Sequence, residues 1–318
     1  MVEIGTKLVC EKHRPDELVT FARRTEDSAF DFANISDHYH PWISAQGESP
    51  MVWHVVGAIA EATDDLRLGT GVTCPIVRIH PAIIAQAAAT AATMLEGRFF
   101  FGVGTGENLS EHVTGERWPE HEVRLEMLEE AVEVVRGLWE GENYSHHGKH
   151  YTVENARLFT LPEKLPDIPV AADGPNAARV AGEIGDGLIA VRPDEELLEA
   201  YGTTGSDDGM RYGEVSVCWA EDEAEAIETA HELWPLDGLP GELLWDLPTP
   251  AHFERAVQSV TKEDIAEAVA CGPDPEAHVE AIREYVDAGF DHVAIHQIGP
   301  GHEEFVEFYE EEVLPAFR

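Results

Sequence analysis

The sequence predicts an α/β fold in which eight strands alternate with helices and close into a (β/α)8 barrel. Three observations carry this. Short apolar or aromatic runs recur eight times along the 318 residues, and the segments between them are long enough for crossover helices. Several of those segments have helical spacing, and polar residues gather just after the runs, where a parallel barrel places its functional groups. A doubly wound sheet is the competing arrangement.

The runs are Lys7–Cys10, Phe30–Ser36, Leu66–Thr73, Phe99–Gly104, Pro169–Ala172, Gly187–Val191, Glu214–Trp219 and His292–His296. Helical spacing is seen in Glu17, Leu18, Phe21 and Ala22, and later in Leu125, Leu128, Ala131, Val132, Val135 and Leu138. The alanines of Ala85–Ala92 let the third helix approach the barrel closely. Two segments fall outside the alternation. Glu142–Thr160, with Tyr144, Gly148 and Tyr151, reads as a surface hairpin, and Trp234–Cys271 as a helical insertion after strand seven. With no repeat and no linker, residues 1–318 read as one barrel domain carrying insertions near 142–160 and 234–271.

Composition narrows the setting. There are 62 Asp and Glu against 21 Lys and Arg, a formal charge of −41, yet charged residues make up only 26% of the chain, close to the roughly 25% of ordinary soluble proteins. Acid has replaced base. Only five basic residues are lysine (Lys7, Lys12, Lys149, Lys164 and Lys262), which argues against a hyperthermophile and for a salt-adapted acidic shell. At about 1 M salt the Debye length is about 3 Å and self-repulsion is largely screened. Nucleic-acid binding is disfavoured, because it relies on clustered Lys and Arg. The 43% hydrophobic content is spread along the chain and supplies a core, against disorder. Residues Met1–Cys10 lack a signal pattern, and Ala82–Leu95 is shorter than the roughly 20 residues that cross a bilayer. A cytoplasmic protein is expected. The cysteines Cys10, Cys74, Cys218 and Cys271 have no CxxC spacing, so neither a disulfide framework nor a zinc knuckle is indicated.

The strand ends carry Glu11; Asp37 and His38; Thr73 and Cys74; Thr105, Gly106 and Glu107; Asp173 and Gly174; Arg192; Trp219; and His296 with Gln297. Ile35–Trp42 sets a carboxylate beside an imidazole, followed by an indole. A histidine can exchange a proton at neutral pH, and an indole can wall off water. The blander reading is a loop histidine with a helix-capping Asp37. His38 and His40 also match the HxH spacing of metal-dependent barrels, but the remaining strand ends offer an incomplete ligand set, so no metal is expected. Strand four ends with Gly102, Gly104 and Gly106, which let a flat ring lie on backbone or simply allow tight packing. Asp173-Gly-Pro175 leads into a helix whose first N–H groups can face a phosphate, or is an ordinary turn. His146–His150 reads as a solvated hairpin turn rather than a metal site.

Val9-Cys-Glu11, Ser36-Asp-His38 with Pro41-Trp42, Leu68–Val72, Gly102–Glu107 and Ala172–Pro175 together resemble the coenzyme F420-dependent glucose-6-phosphate dehydrogenase family, among the luciferase-like barrels. The likeness runs in order through Trp234-Pro-Leu236, Pro273-Asp-Pro275 and the last strand. It implies coenzyme F420 in the barrel mouth, taking a hydride at C5 from a carbinol carbon, with FMN as the alternative cofactor of a monooxygenase on the same barrel. By position, Asp37, Cys74, Thr105, Gly106, Ser110, Asp173, Gly174, Asn176 and Ala177 would line the cofactor. Gly71-Val72 would match the family's non-proline cis peptide.

His38, Trp42, Glu107 and Glu11 would face the reacting carbon, with His38 and Glu107 sharing the proton work in either order. Pro193 beside Arg192, Leu244 and Ala268 stand where the family holds a sugar phosphate with cations. An unphosphorylated sugar, polyol or secondary alcohol is therefore expected over a sugar phosphate, with Arg192 and His296 on the substrate side. A homodimer is also implied. Because F420 carries a phosphodiester and a polyglutamate tail, Arg78, Arg98 and Arg179 are candidate local cations in an acidic protein.

Overall fold

The computed structural model describes residues 2–318, apart from the side chain of Glu242. Eight strands form its frame: β1 (Glu3–Leu8), β2 (Phe32–Ile35), β3 (Leu68–Thr70), β4 (Phe99–Phe100), β5 (Pro169–Ala171), β6 (Gly187–Ala190), β7 (Met210–Cys218) and β8 (His292–Gln297). Neighbours pair in parallel in the order β4-β3-β2-β1-β8-β7-β6-β5. Val103 joins the two ends, bridging Thr73 on one side and Val170 on the other. The N–H of Phe101 donates to Asp167 O at 2.9 Å, and that of Ala171 to Val103 O at 2.7 Å. The sheet closes as a barrel, not as a doubly wound sheet.

Several strand boundaries differ from the sequence reading, among them those of β1, β4 and β7. β1 begins at Glu3 and ends at Leu8, earlier than the run Lys7–Cys10, because its inward positions Gly5 and Lys7 carry no apolar signal. β4 is only Phe99–Phe100, since the glycines that follow reduce its ladder to the single bridge at Val103. β7 begins at Met210, four residues before the expected Glu214.

The lower barrel is filled by rings. Phe100 stacks on Tyr212 with centroids 4.9 Å apart, and Phe32 meets Tyr212 edge-on at 5.6 Å. Ile189 and Ala294 complete this buried layer. Beneath it the Arg67 guanidinium lies 5.2 Å from the Phe32 centroid. The rings fit because their neighbours are glycines. A Cβ on Gly69 would lie 2.1 Å from the Phe100 ring, and one on Gly5 would lie 2.6 Å from Phe32.

Between the helix Glu223–Leu233 and a two-residue strand, Ala270–Cys271, lie the short helices Glu242–Asp246, Pro250–Ala256 and Lys262–Ala268. The two-residue strand pairs with Val217 and Cys218 at the end of β7, so this segment is anchored over the mouth. It shares a second apolar cluster with Trp42, Trp234, Leu236 and Phe253. Tyr144–His147 and Thr152–Ala156 form an antiparallel hairpin. Its turn is not simply solvated: Glu130 accepts the N–H of Tyr151 at 2.7 Å and sits 3.0 Å from His146 Nε2, so the turn is tied to the helix His121–Trp139. Among the described residues, no helix is long and apolar enough to cross a membrane.

A Cβ on Gly102 would lie 2.0 Å from the Thr70 carbonyl oxygen, a backbone atom that cannot swing aside. Gly102→Ala should therefore cost about 1–3 kcal/mol, read as a lower urea midpoint at unchanged slope. An unchanged midpoint would show that the upper barrel relaxes freely.

Candidate active site

The strand ends converge on one imidazole. Glu11 follows β1, His38 follows β2, and Glu107 follows the glycine run after β4. His38 Nδ1 contacts Glu11 Oε1, and His38 Nε2 lies 3.4 Å from Glu107 Oε2. Ser36 donates its hydroxyl to Glu11 Oε2 at 2.7 Å and accepts the Cys10 N–H at 2.9 Å. Trp42 stands perpendicular to the His38 ring at 5.1 Å and rests on Phe253 at 5.2 Å. The imidazole is thus gripped from both nitrogens, and an indole screens it from water.

Burial alone would raise the Glu11 pKa, but the charge and hydrogen bond of His38, with Lys7 and Ser36, outweigh it and hold Glu11 at about 2. Burial would lower His38, but Glu11 and Glu107 outweigh that and raise it to about 10. At neutral pH His38 is an imidazolium between carboxylates. The two shifts fix the sign of the stability they contribute. The depressed Glu11 contributes above about 4.5 and loses its contribution as pH falls through about 2. The raised His38 contributes below about 6.5 and loses its contribution as pH rises through about 10.

A second polar group lies deeper in the mouth. Lys7, pointing inward from β1, meets Glu214 of β7 at 2.5 Å. Burial lowers its pKa, yet Glu214, Glu11 and Glu107 together raise it, so Lys7 links this group to His38. Asp237 accepts the Trp234 indole N–H at 3.2 Å. It reaches solvent at the mouth, but surrounding protein removes much of its hydration. That desolvation, eased by hydrogen bonds from Ser216 and Trp234, leaves its pKa at about 6. His296 is fully buried, edge-on to Trp234 at 4.3 Å, with Nδ1 3.5 Å from the Ser216 hydroxyl. Burial, with Lys7 and Lys12, keeps it neutral, and its Nε2 has no hydrogen-bond partner.

The other named positions line a neighbouring arc. Gly71-Val72 is a cis peptide bond. Gly106 has φ +69°, and a Cβ there would lie 2.5 Å from Cys74 Sγ, so Cys74 backs the glycine turn after Thr105. Ser110 accepts the Tyr39 N–H at 3.1 Å. Asp37 is spent within the protein, taking the Thr73 hydroxyl on Oδ2 and Arg78 on Oδ1, each at 2.8 Å. Arg78 also meets Glu111 at 3.3 Å, whose pKa burial raises to about 7 against the pull of Arg78. Arg78 is therefore an internal tie and not a free cation. Arg98 lies at the opposite end of the barrel, bonded to the carbonyls of Leu66 and Thr63.

Gly174 precedes the helix Pro175–Ile184, which has no side-chain cap. Ala178 donates to Gly174 O at 2.9 Å, so the N–H groups of Asn176 and Ala177 fall in the first helical turn, where no intrahelical carbonyl precedes them. Arg179 sits beside them, 3.1 Å from Asn176 Oδ1. The exposed Arg192 reaches Asp173 O at 3.3 Å. Among the described residues, no three His, Cys, Asp or Glu side chains form a metal-ligand set; His40 Nδ1 instead contacts Leu109 O at 3.0 Å.

Sequence reasoning missed Lys7, Ser36, Glu214, Asp237 and the Arg78–Glu111 tie as members of this region. Two of them had a signal. Lys7 shares the inward parity of Gly5 on β1, and Asp237 directly follows the Trp234-Pro-Leu236 segment. The Arg78–Glu111 tie had none, since the two lie 33 positions apart in chain.

A closed parallel barrel with titratable groups gathered at the C-terminal ends of its strands is the architecture of a barrel enzyme. The chain belongs to the luciferase-like monooxygenase family, whose profile matches residues 2–292. Within that family its relatives include F420-dependent glucose-6-phosphate dehydrogenases. The protein of Microbacterium testaceum is 35% identical, covering 100% of this chain and 98% of its own. That of Kribbella flavida is 36% identical with the same coverage. Among solved structures, an F420-dependent secondary alcohol dehydrogenase in complex with an F420-acetone adduct is 30% identical, with a TM-score of 0.91 and coverage of 100% and 99%.

If Glu11 holds the charge on His38, Glu11→Gln should drop the His38 imidazole titration, followed by NMR, from near 10 to at or below the ordinary histidine range. An unmoved midpoint would assign the raised value to Glu107.

Proposed function

We propose that this protein is an F420-dependent dehydrogenase that oxidises the carbinol carbon of an unphosphorylated sugar, polyol or secondary alcohol. The observation that carries this is the Glu11–His38–Glu107 arrangement: a charged imidazole clamped on one nitrogen, with a carboxylate 3.4 Å from the other.

The chain's own features fit the coenzyme. The start of the helix Pro175–Ile184 has no side-chain cap, a Cβ on Gly174 would meet nothing within 4 Å, and the N–H groups of Asn176 and Ala177 suit a phosphodiester. Arg179 adds a local cation. Thr105, Gly106 and the Gly71-Val72 backbone present a side-chain-poor surface to a flat ring. When bound, F420 supplies a hydride acceptor at C5 of its deazaflavin ring.

The proton work falls to residues of the chain. His38 already carries its proton at neutral pH, so Glu107 is assigned to receive the hydroxyl proton. The imidazolium stabilises the negative charge that develops on the substrate oxygen. Glu11 positions His38 and keeps it charged, and Trp42 excludes water. The substrate side supports a neutral alcohol. Leu244 packs into the apolar cluster of the insertion, Ala268 has no charge to offer, and Arg192 is drawn to Asp173 O.

Glu107→Gln and His38→Ala should each lower F420 reduction by about 100-fold or more, with F420 binding retained. In the wild type, kcat/KM should stay level from about pH 7 to 9 and fall above about 10 as His38 loses its proton. A tenfold rise per pH unit over that range would make His38 the base. Wild-type turnover in both variants would remove the assignment of the site.

Because the chain carries −41 and F420 is an anion, affinity should weaken as KCl is lowered from about 2 M to about 0.1 M while circular dichroism shows the protein folded. Steadily tighter binding on desalting would overturn the screening argument.

A further inference from the structure

We infer that Asp237 selects the substrate: its carboxylate receives a second hydroxyl of a neutral, polyhydroxylated alcohol and turns away the phosphorylated counterpart. This rests on the alcohol-oxidising reading above and extends it to a residue outside the His38 group.

Asp237 lies in the turn Pro235–Gly238 of the segment anchored over the mouth. Its neighbours Trp234, Pro235 and Leu236 are buried, whereas Asp237 is exposed, so the apolar residues root the turn and the carboxylate is presented outward. The Trp234 indole N–H, at 3.2 Å from Oδ1, sets its orientation. A carboxylate accepts about four hydrogen bonds, so capacity remains for the O–H donors of a diol. Ser216 supplies a hydroxyl beside it, and through Ser216 and Trp234 it adjoins His296, whose buried Nε2 lacks a partner. This set of acceptors and donors matches hydroxyl groups.

Charge argues the same way. Lys7 is the common neighbour, acting on Asp237 and on Glu11. The mouth thus holds four carboxylates (Glu11, Glu107, Glu214 and Asp237) against three cations, His38, Lys7 and Lys12. Each cation is already engaged, Lys7 by Glu214, His38 by Glu11 and Glu107, and Lys12 by the carbonyls of Gln297 and Ile298. A phosphate dianion would meet an excess of negative charge with no buried cation left to receive it. A monohydric alcohol has no second hydroxyl to give Asp237 and gains no hydrogen bond there, whereas a polyol does.

The test measures F420 reduction and F420 affinity at high salt for wild type, Asp237→Asn and Asp237→Ser, with glucose, sorbitol, glucose 6-phosphate and propan-2-ol as substrates. Wild type should favour glucose or sorbitol over both glucose 6-phosphate and propan-2-ol. In Asp237→Asn and Asp237→Ser the preference for the polyol over propan-2-ol should fall about tenfold or more, chiefly through KM. The preference over glucose 6-phosphate should shrink as well, with the dissociation constant for F420 unchanged. F420 reduction with unchanged preferences in both variants would overturn the role of Asp237 and leave the dehydrogenase reading standing, whereas fastest wild-type reduction by glucose 6-phosphate would overturn the role of Asp237 and the unphosphorylated-substrate reading together. F420 binding without reduction by any of the four would overturn both.

Discussion

A closed ring of eight parallel strands must fill its own interior, and here three rings, Phe32, Phe100 and Tyr212, fill the lower half. That packing sets the remainder. Rings of this size are admitted only where adjacent strands carry glycine, at Gly5 and Gly69. With the apolar filling complete below, the inward positions above it on the same strands are polar: Lys7 on β1, Glu214 and Ser216 on β7, and His296 on β8. The site is therefore the upper continuation of the barrel core, and its groups are held by strands rather than by loops alone.

Placing charge there has a physical cost that the structure meets by pairing. Glu11 is almost fully buried and is answered by His38, Ser36 and Lys7. Lys7 is answered by Glu214. Asp37, equally buried, is tied by Thr73 and Arg78. Each of these carboxylates has a charged or hydroxyl partner in place, and each partner is fixed because its carboxylate is buried. Buried pairs of this kind are costly to break from one side, which gives the site a defined geometry before any ligand arrives. Glu107 and Asp237 stand apart from these closed pairs, one against the open side of His38 and one at the rim, and both are available to a bound molecule.

The strongly acidic composition takes on a local meaning in this frame. Of the cations considered for an anionic coenzyme, Arg78 is consumed by two carboxylates and Arg98 is at the far end of the barrel. Arg179, beside an uncapped helix start, is left. In the function proposed above, recognition of the anionic coenzyme then leans on backbone N–H groups at that helix start.

Much was readable from local pattern. Apolar runs and turns announce eight strands, their order, and the rim residues Glu11, His38, Glu107 and Asp173, because in a parallel barrel the end of each strand points to the same face. Boundaries were less legible: β1 begins before its apolar run and β4 stops at its glycines, since alternation along a strand is masked when the inward residues are glycine or lysine. What composition and spacing could not convey is which charges meet. The Lys7–Glu214 pair spans 207 positions, and Arg78–Glu111 and Asp37–Arg78 span 33 and 41. The imidazole's raised pKa exists only through two carboxylates brought to its two nitrogens from different strand ends. Strand order and rim follow from short-range periodicity, whereas protonation states and the exposed Asp237 depend on desolvation and on distances that closure of the barrel creates.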